Sequence, residues 1–369
     1  MERSLSFAAF CISSTMSMRS NSGRLGRMIK PYEGSRHTVV AISLRSETRQ
    51  IAGSGPKNTE TSWEDLIFEI GSITKVFTGI LLCVLIDEGK IDPRAPLSEV
   101  SDSLSDVPNW ITPERLVSHT SGLPNIYVPI WKALLQQWPE GPYAEFSRED
   151  LFTWFQCWPG NERRVGRRHG YSNLGFGLLG EAMALREAIP FGDLLAQKVI
   201  RPLGMKDTGG RLHDNQKVRF MQPRNTSGKP VMPWAFDALA GAGFLRSTAR
   251  DLASFSSRVI QAINAPETAL DQAIRRSAKP IFGLGRNGGT QPVAQCSGWM
   301  RVRRAETSPN ILFANGGTAG STCALYVCPE KEGAIVITSN NGIAANLWAS
   351  TKLNWANPVR QAQDILLES

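Results

Sequence analysis

The segment from Ile73 to Ile86 has apolar residues on nearly every side of a helical projection. A helix that is hydrophobic all round is stable only inside a protein or within a membrane. This run ends at Asp87-Glu88, short of the roughly 20 apolar residues that cross a bilayer, and Gly89 suits a helix C-cap. The sequence therefore predicts a helix buried at the centre of a folded domain and no membrane span.

Two reactive residues lie at the start of this helix, in the stretch EIGSITKVFTG at residues 69–79. Residues three apart share one face of a helical turn, so the Lys75 amine can reach the Ser72 hydroxyl. Burial lowers the pKa of a lysine, and the N-terminal amides of a helix stabilise an oxyanion. The spacing indicates a nucleophile with its partner; the alternative is a capped helix start with a solvated lysine.

The Ser-x-x-Lys pattern is weak alone, because chance produces it about once or twice in a chain of this length. Ser54 and Lys57 also match the pattern, but Gly-Pro lies between them and cannot continue a helix. We interpret this second match as a turn.

Strand-like segments open and close the chain, and helical segments lie between them. Residues 37–45 are rich in β-branched side chains, and four strand-like segments separated by turn clusters follow residue 298. Residues 91–235 carry helical periodicity, including a capping-box-like Ser147-x-x-Asp150. The economical architecture is one mixed sheet built from both ends of the chain, with a helical region inserted in its middle.

The composition is that of a globular chain with a sizeable core, since 41% of the residues are apolar and only 20% are charged. Six sparse cysteines without a Cys-x-x-Cys pair argue against a disulfide framework or a zinc site, and no cofactor is implied. Cys323 and Cys328 are an odd number of residues apart in one strand-like segment. We expect them to face opposite sides of a sheet.

The net charge of +8 is unevenly placed, because residues 1–30 hold five basic residues against Glu2 alone. A nucleic-acid-binding face is therefore disfavoured. This leader resembles an organelle transit peptide in composition, but a disordered extension of a cytoplasmic protein is the favoured interpretation. We expect one catalytic domain over 31–369, with its sheet in 31–90 and 236–369 and its mostly helical part in 91–235.

Further motifs follow EIGSITKVFTG in order, namely LVSHTSGLP, YSNLGFGLLGEAM, PLGMKDTG and AGAGFLRSTARDLASF. With these motifs the chain resembles, over about residues 30–345, the class C β-lactamase-like serine hydrolases. That family includes penicillin-binding-protein relatives, family VIII esterases and some acyltransferases of secondary metabolism. The resemblance implies an α/β (α+β) β-lactamase/transpeptidase-like fold, with an antiparallel sheet flanked by helices and an inserted all-helical subdomain. Fold alone does not fix the substrate.

The resemblance assigns a role to each residue that matches a family motif. Ser72 is the expected acylated nucleophile and Lys75 its partner on the helix. Tyr171 is the expected phenolate-like general base, which passes the serine proton to the leaving group. Asn173 is expected to hydrogen-bond Lys75 and the substrate. His119 is interpreted as a structural residue that fixes a turn.

The third motif of the family is a Lys- or His-x-Gly on the sheet edge, and it aligns here with Ala314-Asn315-Gly316. Asn315 and Gly316 are thus expected to bind substrate, and Gly317 N–H to form an oxyanion hole with Ser72 N–H. Ala314 departs from the pattern, since the family side chain there helps to bind a substrate carboxylate. The departure disfavours a β-lactam or a D-peptide more than an ester.

These observations predict a serine hydrolase that acts through an acyl-Ser72 intermediate on a small ester or amide, with a carboxylic ester favoured. An acyltransferase is the nearest alternative, because an alcohol or amine resolves the same acyl-enzyme when water is excluded. β-Lactamase or D-peptidase activity comes next. The alternative of another class is a catalytically silent binding protein with the same fold. The oligomeric state stays open.

Overall fold

The computed structural model describes residues 23–46, 48–57, 60–128, 140–160, 162–287, 291–345 and 356–367. Its strands are β1 (Val39–Arg45), β2 (Thr48–Ser54), β3 (Ile67–Glu69), β4 (Arg246–Thr248), β5 (Phe282–Asn287), β6 (Gln291–Gln295), β7 (Met300–Arg303), β8 (Asn310–Gly317), β9 (Thr322–Cys328) and β10 (Gly333–Ser339). Its helices are α1 (23–29), α2 (Thr74–Asp87), α3 (Pro113–Val117), α4 (Arg148–Cys157), α5 (Asn173–Glu187), α6 (Phe191–Leu195), α7 (Asp214–Lys217), α8 (Ala240–Gly243), α9 (Ala249–Asn264), α10 (Ala269–Ser277) and α11 (Ala356–Leu367).

One eight-stranded sheet has the order β2-β1-β10-β9-β8-β7-β6-β5. The two ends of the chain meet where β1 pairs with β10, with Val39 opposite Ser339. This confirms a sheet built from both chain ends. Every ladder of this sheet is antiparallel, so the expectation of a mixed sheet is wrong. Short turns join β1 to β2 and the successive strands from β5 to β10, and such turns allow only antiparallel pairing, because parallel neighbours need long crossovers. The pairing of β1 with β10 joins the two ends of the chain and is also antiparallel.

Helices cover both faces of the sheet, and the side chains of β1 alternate between two cores. Val40 and Ile42 belong to the first cluster, which also includes the buried apolar side chains of α2, α5 and α9. Val39 belongs to a second cluster, which α1 and α11 cover on the opposite face. Cys323 lies in the first cluster and Cys328 in the second. The predicted opposite orientation of these cysteines is therefore confirmed.

Helix α1 lies within the segment 1–30 that was expected to be disordered. Leu25 and Met28 are each 1% exposed and pack in the second cluster, and Arg24 donates a hydrogen bond to the Asp364 carbonyl oxygen over 3.3 Å. The expectation of disorder is wrong for residues 23–30, because apolar residues three apart form a stripe that the sheet buries. The rest of the leader lies outside the described residues.

The buried central helix is confirmed as α2, whose residues from Thr74 to Cys83 are all buried. The chain leaves it through Gly89 at φ +69°, as a helix C-cap requires. No helix among the described residues is long and apolar enough to cross a membrane.

The mostly helical part predicted over 91–235 is only partly right. Helix α4 starts with the expected capping box, in which Ser147 and Asp150 each accept a hydrogen bond from the other's backbone N–H. Helix α5 is also present as expected. Residues 218–239, however, contain no helix. Prolines at 223, 230 and 233 lack the N–H that a helix interior needs.

Candidate active site

Ser72 lies in the single 3-10 turn Gly71–Ile73, between β3 and the start of α2. Strand β8 lies directly against this turn. A Cβ atom on Gly316 would be 1.8 Å from the Ile70 carbonyl oxygen, and one on Gly71 would be 2.7 Å from Gly317 N. Gly71 also has φ +49°, which favours glycine. The two glycines thus allow the Gly317 amide to approach the nucleophile segment, as an oxyanion hole requires.

The Lys75 side chain is buried beneath Ser72, with 2% of the residue exposed. Its Nζ lies 3.1 Å from Ser72 Oγ, 2.7 Å from Asn173 Oδ1 and 2.7 Å from the Ala242 carbonyl oxygen. These three acceptors match the three donors of an ammonium group. Burial nevertheless holds the Lys75 pKa well below its usual value of 10.5, because desolvation disfavours the charged form.

Tyr171 reaches the same serine from the other side, with its hydroxyl 2.6 Å from Ser72 Oγ. The residue as a whole is 42% exposed, and its hydroxyl is partly desolvated where it meets Ser72. Burial raises the pKa of Tyr171 to about 12, and the hydrogen bond with Ser72 opposes this only in part. Tyr171 is therefore protonated near neutral pH.

These pKa directions bear on which residue takes the serine proton. A neutral Lys75 keeps its hydrogen bonds to Asn173 and Ala242 and turns its lone pair towards Ser72. A base works best when its pKa lies near the operating pH. The lowered pKa of Lys75 fits that requirement, whereas the raised pKa of Tyr171 suits a proton donor to the leaving group. The role of Tyr171 as a phenolate-like base stays a prediction; the two pKa directions favour Lys75 for the first proton transfer, while Tyr171 is the nearer group.

Asn173 is the first residue of α5 and is held in one orientation. Ser172 caps this helix by accepting the Gly175 N–H at 2.8 Å, and its hydroxyl donates to the Pro124 carbonyl oxygen. Asn173 Nδ2 donates to the Tyr143 hydroxyl at 2.8 Å. This leaves Oδ1 to accept the hydrogen bond of Lys75, as the sequence predicted.

Two histidines flank the tyrosine. His119, at φ +57°, accepts the Ser172 N–H on Nδ1 at 3.1 Å, and its ring centroid lies 4.6 Å from that of Tyr171. Burial holds the His119 pKa well below its usual value, so the ring is neutral and positions the Tyr171 loop. The structure thus agrees with a structural role. His169 pairs with Gln295 Oε1 at 3.2 Å and does not bond Tyr171 or Ser72.

The structure separates the residues of the third motif. Ala314 packs in the first cluster, on the side of α2, whereas Phe313 packs against the second cluster. Side chains alternate along a strand, so Asn315 shares the face of Phe313 and points away from Ser72. Asn315 Oδ1 is buried and has no hydrogen-bond partner among the described residues. The structure therefore brings the backbone of Gly316 and Gly317 to the site but not the Asn315 side chain.

Sequence analysis missed several residues that hold the site together. Tyr143 binds Asn173, and its ring stacks on Phe236 with centroids 5.2 Å apart. Glu69 is 4% exposed, and its carboxylate accepts both the Trp234 N–H and the Thr318 hydroxyl, each at 2.7 Å. Burial raises the Glu69 pKa, and these hydrogen bonds oppose that rise. The sequence signal that could have identified Glu69 was its position three residues before the nucleophile.

The structure also describes the second Ser-x-x-Lys match. This match is not helical: Ser54 ends β2, and Lys57 Nζ bonds the Thr61 carbonyl oxygen at 2.6 Å. Among the described residues, no group of His, Cys, Asp or Glu is arranged to hold a metal ion. The tryptophans and tyrosines of residues 125–146 suggest either a pocket wall or core packing, but residues 129–139 of this stretch lie outside the described residues.

A serine hydroxyl held between a buried lysine and a tyrosine, with a backbone amide beside it, is the catalytic arrangement of a serine hydrolase that forms acyl-enzymes. The beta-lactamase family profile matches residues 27–351. The D-alanyl-D-alanine-carboxypeptidase/endopeptidase AmpH of Escherichia coli (strain K12) is 27% identical over 321 residues, which cover 82% of this chain and 78% of the relative. A beta-lactamase of Providencia stuartii is 30% identical over 235 residues, which cover 62% of this chain and 56% of the relative.

The fold agrees with these sequence relatives. A crystal structure of a beta-lactamase/D-alanine carboxypeptidase from Pseudomonas syringae matches with a TM-score of 0.75 at 19% identity, covering 96% of this chain and 99% of that one. At this identity the match shows the fold alone, and it confirms the predicted β-lactamase/transpeptidase-like architecture. The chain belongs to the beta-lactamase family, among the serine hydrolases related to class C beta-lactamases and DD-carboxypeptidases.

Proposed function

We propose that this serine hydrolase cleaves carboxylic esters through a covalent acyl-Ser72 intermediate. The single observation that carries the proposal is that Ser72 Oγ accepts hydrogen bonds from both Lys75 and Tyr171, while Ala314 stands in the interior strand β8, two residues before the Gly316 that packs against the nucleophile turn. The hydrogen bonds of Ser72 supply the chemistry of acyl transfer to the serine. The alanine at 314 removes a charged contact for a substrate carboxylate.

Ala314 is 6% exposed and lies on the face of β8 that points to α2. Its methyl group donates no hydrogen bond and carries no charge. β-Lactams and D-peptides carry a free carboxylate, which cationic donors bind strongly. A simple ester lacks that group and loses nothing at this position.

An open site favours water over another acceptor. Tyr171, whose hydroxyl donates to Ser72 Oγ, is 42% exposed as a residue, so solvent reaches a side chain that lies next to the nucleophile. Acyl transfer needs water to be excluded. We therefore place hydrolysis ahead of transfer to an alcohol or amine.

Amide hydrolysis is the second candidate, and one observation favours it. The relative AmpH is named a D-alanyl-D-alanine-carboxypeptidase/endopeptidase, and it is 27% identical over 82% of this chain. The same nucleophile opens esters and amides, so the choice depends on contacts outside the three catalytic residues.

A fluorophosphonate probe, followed by peptide mapping, tests the acyl-enzyme step. We expect a covalent adduct on Ser72, its loss in Ser72→Ala, and normal labelling in Ser54→Ala, the matched control at the second Ser-x-x-Lys site. Labelling elsewhere, with full esterase turnover in Ser72→Ala, would contradict the proposal.

A substrate panel tests the class of substrate. It combines esters of increasing acyl length, a chromogenic cephalosporin and a D-alanyl-D-alanine peptide, each with and without an added alcohol. We expect the largest kcat/KM for an ester and free acid as the product in both conditions. A larger kcat/KM for the peptide would favour amide hydrolysis, and ester formation from the added alcohol would favour acyl transfer.

A further inference from the structure

A second cavity of about 900 Å³ lies away from the catalytic side chains. It is enclosed by α6, the segment 204–213, the segment 234–236 and β4. None of Ser72, Lys75 and Tyr171 lines it. Phe236 lines the cavity and stacks on Tyr143, the partner of Asn173. Leu245 also lines it, and its backbone accepts the Ile70 N–H and donates to Thr74 Oγ1 beside the nucleophile. The two sites are therefore neighbours with different lining residues.

One part of this cavity is aromatic. Trp234, Phe236 and Phe244 line it, and their rings are fixed by contacts on their other sides. Trp234 meets Tyr143 edge-on with centroids 5.6 Å apart, and Phe244 packs on Phe191 at the same centroid distance. Fixed rings that border a void offer a surface on which a planar apolar group is buried without the loss of much side-chain entropy.

The other part of the cavity is cationic. Arg201, Lys206 and Arg211 line it and are exposed, and none of their side chains has a hydrogen bond or ion pair with a described residue. Asp193 is the one carboxylate among the lining residues. Positive charge that converges on a concave surface raises the local concentration of anions.

Arg246 supplies a further positive charge at the inner end. It is half-buried, donates to the Gly210 and Trp234 carbonyl oxygens, and lies directly opposite Glu69 in the pairing of β3 with β4. No hydrogen-bonded ion pair joins the two residues, because the Glu69 oxygens accept from Trp234 and Thr318. Burial lowers the Arg246 pKa, and the charge of Glu69 opposes this in part. The guanidinium thus has one carboxylate nearby but none in contact, and it can still donate to an incoming anion.

We propose that this cavity is a second ligand site, which binds a small organic carboxylate with an aromatic body. The carboxylate lies among Lys206, Arg211 and Arg246, and the ring lies against Trp234 and Phe244. The site is separate from the ester chemistry at Ser72, so its existence does not depend on the proposed function.

Isothermal titration calorimetry of the full chain with 2-naphthoate tests the site. We expect a Kd of about 1 mM or tighter, as ligands of this size reach in a formed pocket, and no measurable binding of 2-naphthylmethylammonium, which has the same ring and the opposite charge. Prior labelling of Ser72 with the fluorophosphonate should leave the affinity for 2-naphthoate unchanged.

Three variants and one control locate the binding. Lys206→Ala and Arg211→Ala should each raise the Kd about fivefold, whereas Lys331→Ala, an equal charge change at the exposed turn between β9 and β10, should not. Gly209→Leu should abolish binding, because a Cβ there has nothing nearer than the Arg211 carbonyl oxygen at 3.7 Å and its side chain occupies the cavity.

Three outcomes would overturn the proposal. The first is binding that is equal in Gly209→Leu and the unmodified chain, with thermal unfolding confirming that the variant is folded. The second is an affinity for the cationic naphthyl compound equal to that for 2-naphthoate. Loss of binding after Ser72 labelling would assign the ligand to the catalytic site instead and would also overturn a separate site, while leaving the ester proposal intact.

Discussion

Asn173 Oδ1 accepts a hydrogen bond from Lys75 Nζ over 2.7 Å, between residues 98 positions apart in the chain. The bond joins the start of α5 to the first turn of α2, and the Tyr143 hydroxyl holds the amide in the orientation that offers its oxygen. A neutral acceptor at this place orients the Lys75 amine without raising its pKa. A carboxylate there would favour the ammonium form.

Asn173→Asp should therefore raise the pKa of Lys75 and slow the reaction near neutral pH. In the unmodified protein the Lys75 pKa lies well below 10.5, so the neutral amine becomes available as the pH rises through that lowered value. With an aspartate, the acid limb of the pH profile of kcat/KM should move upward by about one unit or more, with about a tenfold loss at neutral pH. The surface variant Asn109→Asp serves as a control, and an unmoved acid limb in Asn173→Asp would contradict Lys75 as the base.

Tyr171→Phe should keep the ring against Lys75 and His119 but remove the hydroxyl that bonds Ser72. We expect kcat to fall about 10²- to 10³-fold, the usual contribution of a positioned proton donor, with unchanged thermal stability. The Tyr171 pKa is raised to about 12, so the rate of the unmodified enzyme should be flat from the Lys75 limb to about pH 10. A rate that instead climbs steadily towards pH 12 would restore Tyr171 as a phenolate base.

Glu69→Gln should reveal a positioning role for the buried carboxylate. Its two oxygens hold Trp234 N–H and Thr318, the residue after Gly317, and an amide cannot accept on both sides. We expect kcat to fall about tenfold with little change in KM, because a displaced Gly317 amide weakens an interaction made in the transition state. Glu64→Gln, a second buried glutamate that pairs with Arg49 and Arg250, is the control. If Glu69→Gln and Glu64→Gln lose the same unfolding free energy and kcat does not fall selectively in Glu69→Gln, Glu69 has a structural role only.

Gly316→Ala should damage both stability and catalysis, because the added Cβ would lie 1.8 Å from the Ile70 carbonyl oxygen. Separating β8 from the nucleophile turn should cost about 2 kcal/mol of unfolding free energy and remove most activity. Gly283→Ala in β5 is the matched control, since its Cβ would meet nothing within 4 Å. Denaturant unfolding of the two variants measures the difference, and equal stabilities would show that β8 can move away from the turn.

The sequence predicted best what depends on local geometry. The pair Ser72 and Lys75 followed from the spacing of one helical turn, and the burial of α2 followed from its apolar residues. Tyr171 came only from the family resemblance, because no local rule links it to Ser72. Glu69 and Thr318 are 249 residues apart, and such a contact leaves no periodic pattern. The prediction that Asn315 binds substrate failed for a different reason. Side chains alternate along a strand, so Asn315 lies on the face of β8 opposite to that of Ala314, and the motif alignment did not take this alternation into account.

Ala314→His should change which substrates the enzyme accepts. The position is 6% exposed, faces α2 and lies two residues before Gly316, which packs against the nucleophile turn, so we expect an imidazole there to add a donor for a substrate carboxylate. We expect kcat/KM for a cephalosporin or a D-alanyl-D-alanine peptide to rise about tenfold, the value of one charge-assisted hydrogen bond, with little change for a neutral ester. Ala314→Leu controls for the added volume, because it fills similar space without a donor, and thermal unfolding shows whether each variant tolerates it. Two results would contradict this prediction: an unmodified enzyme that turns over the carboxylate-bearing substrates as fast as esters, or equal effects of histidine and leucine at position 314. In either case Ala314 does not determine the preference for esters, and the ester proposal loses its main support.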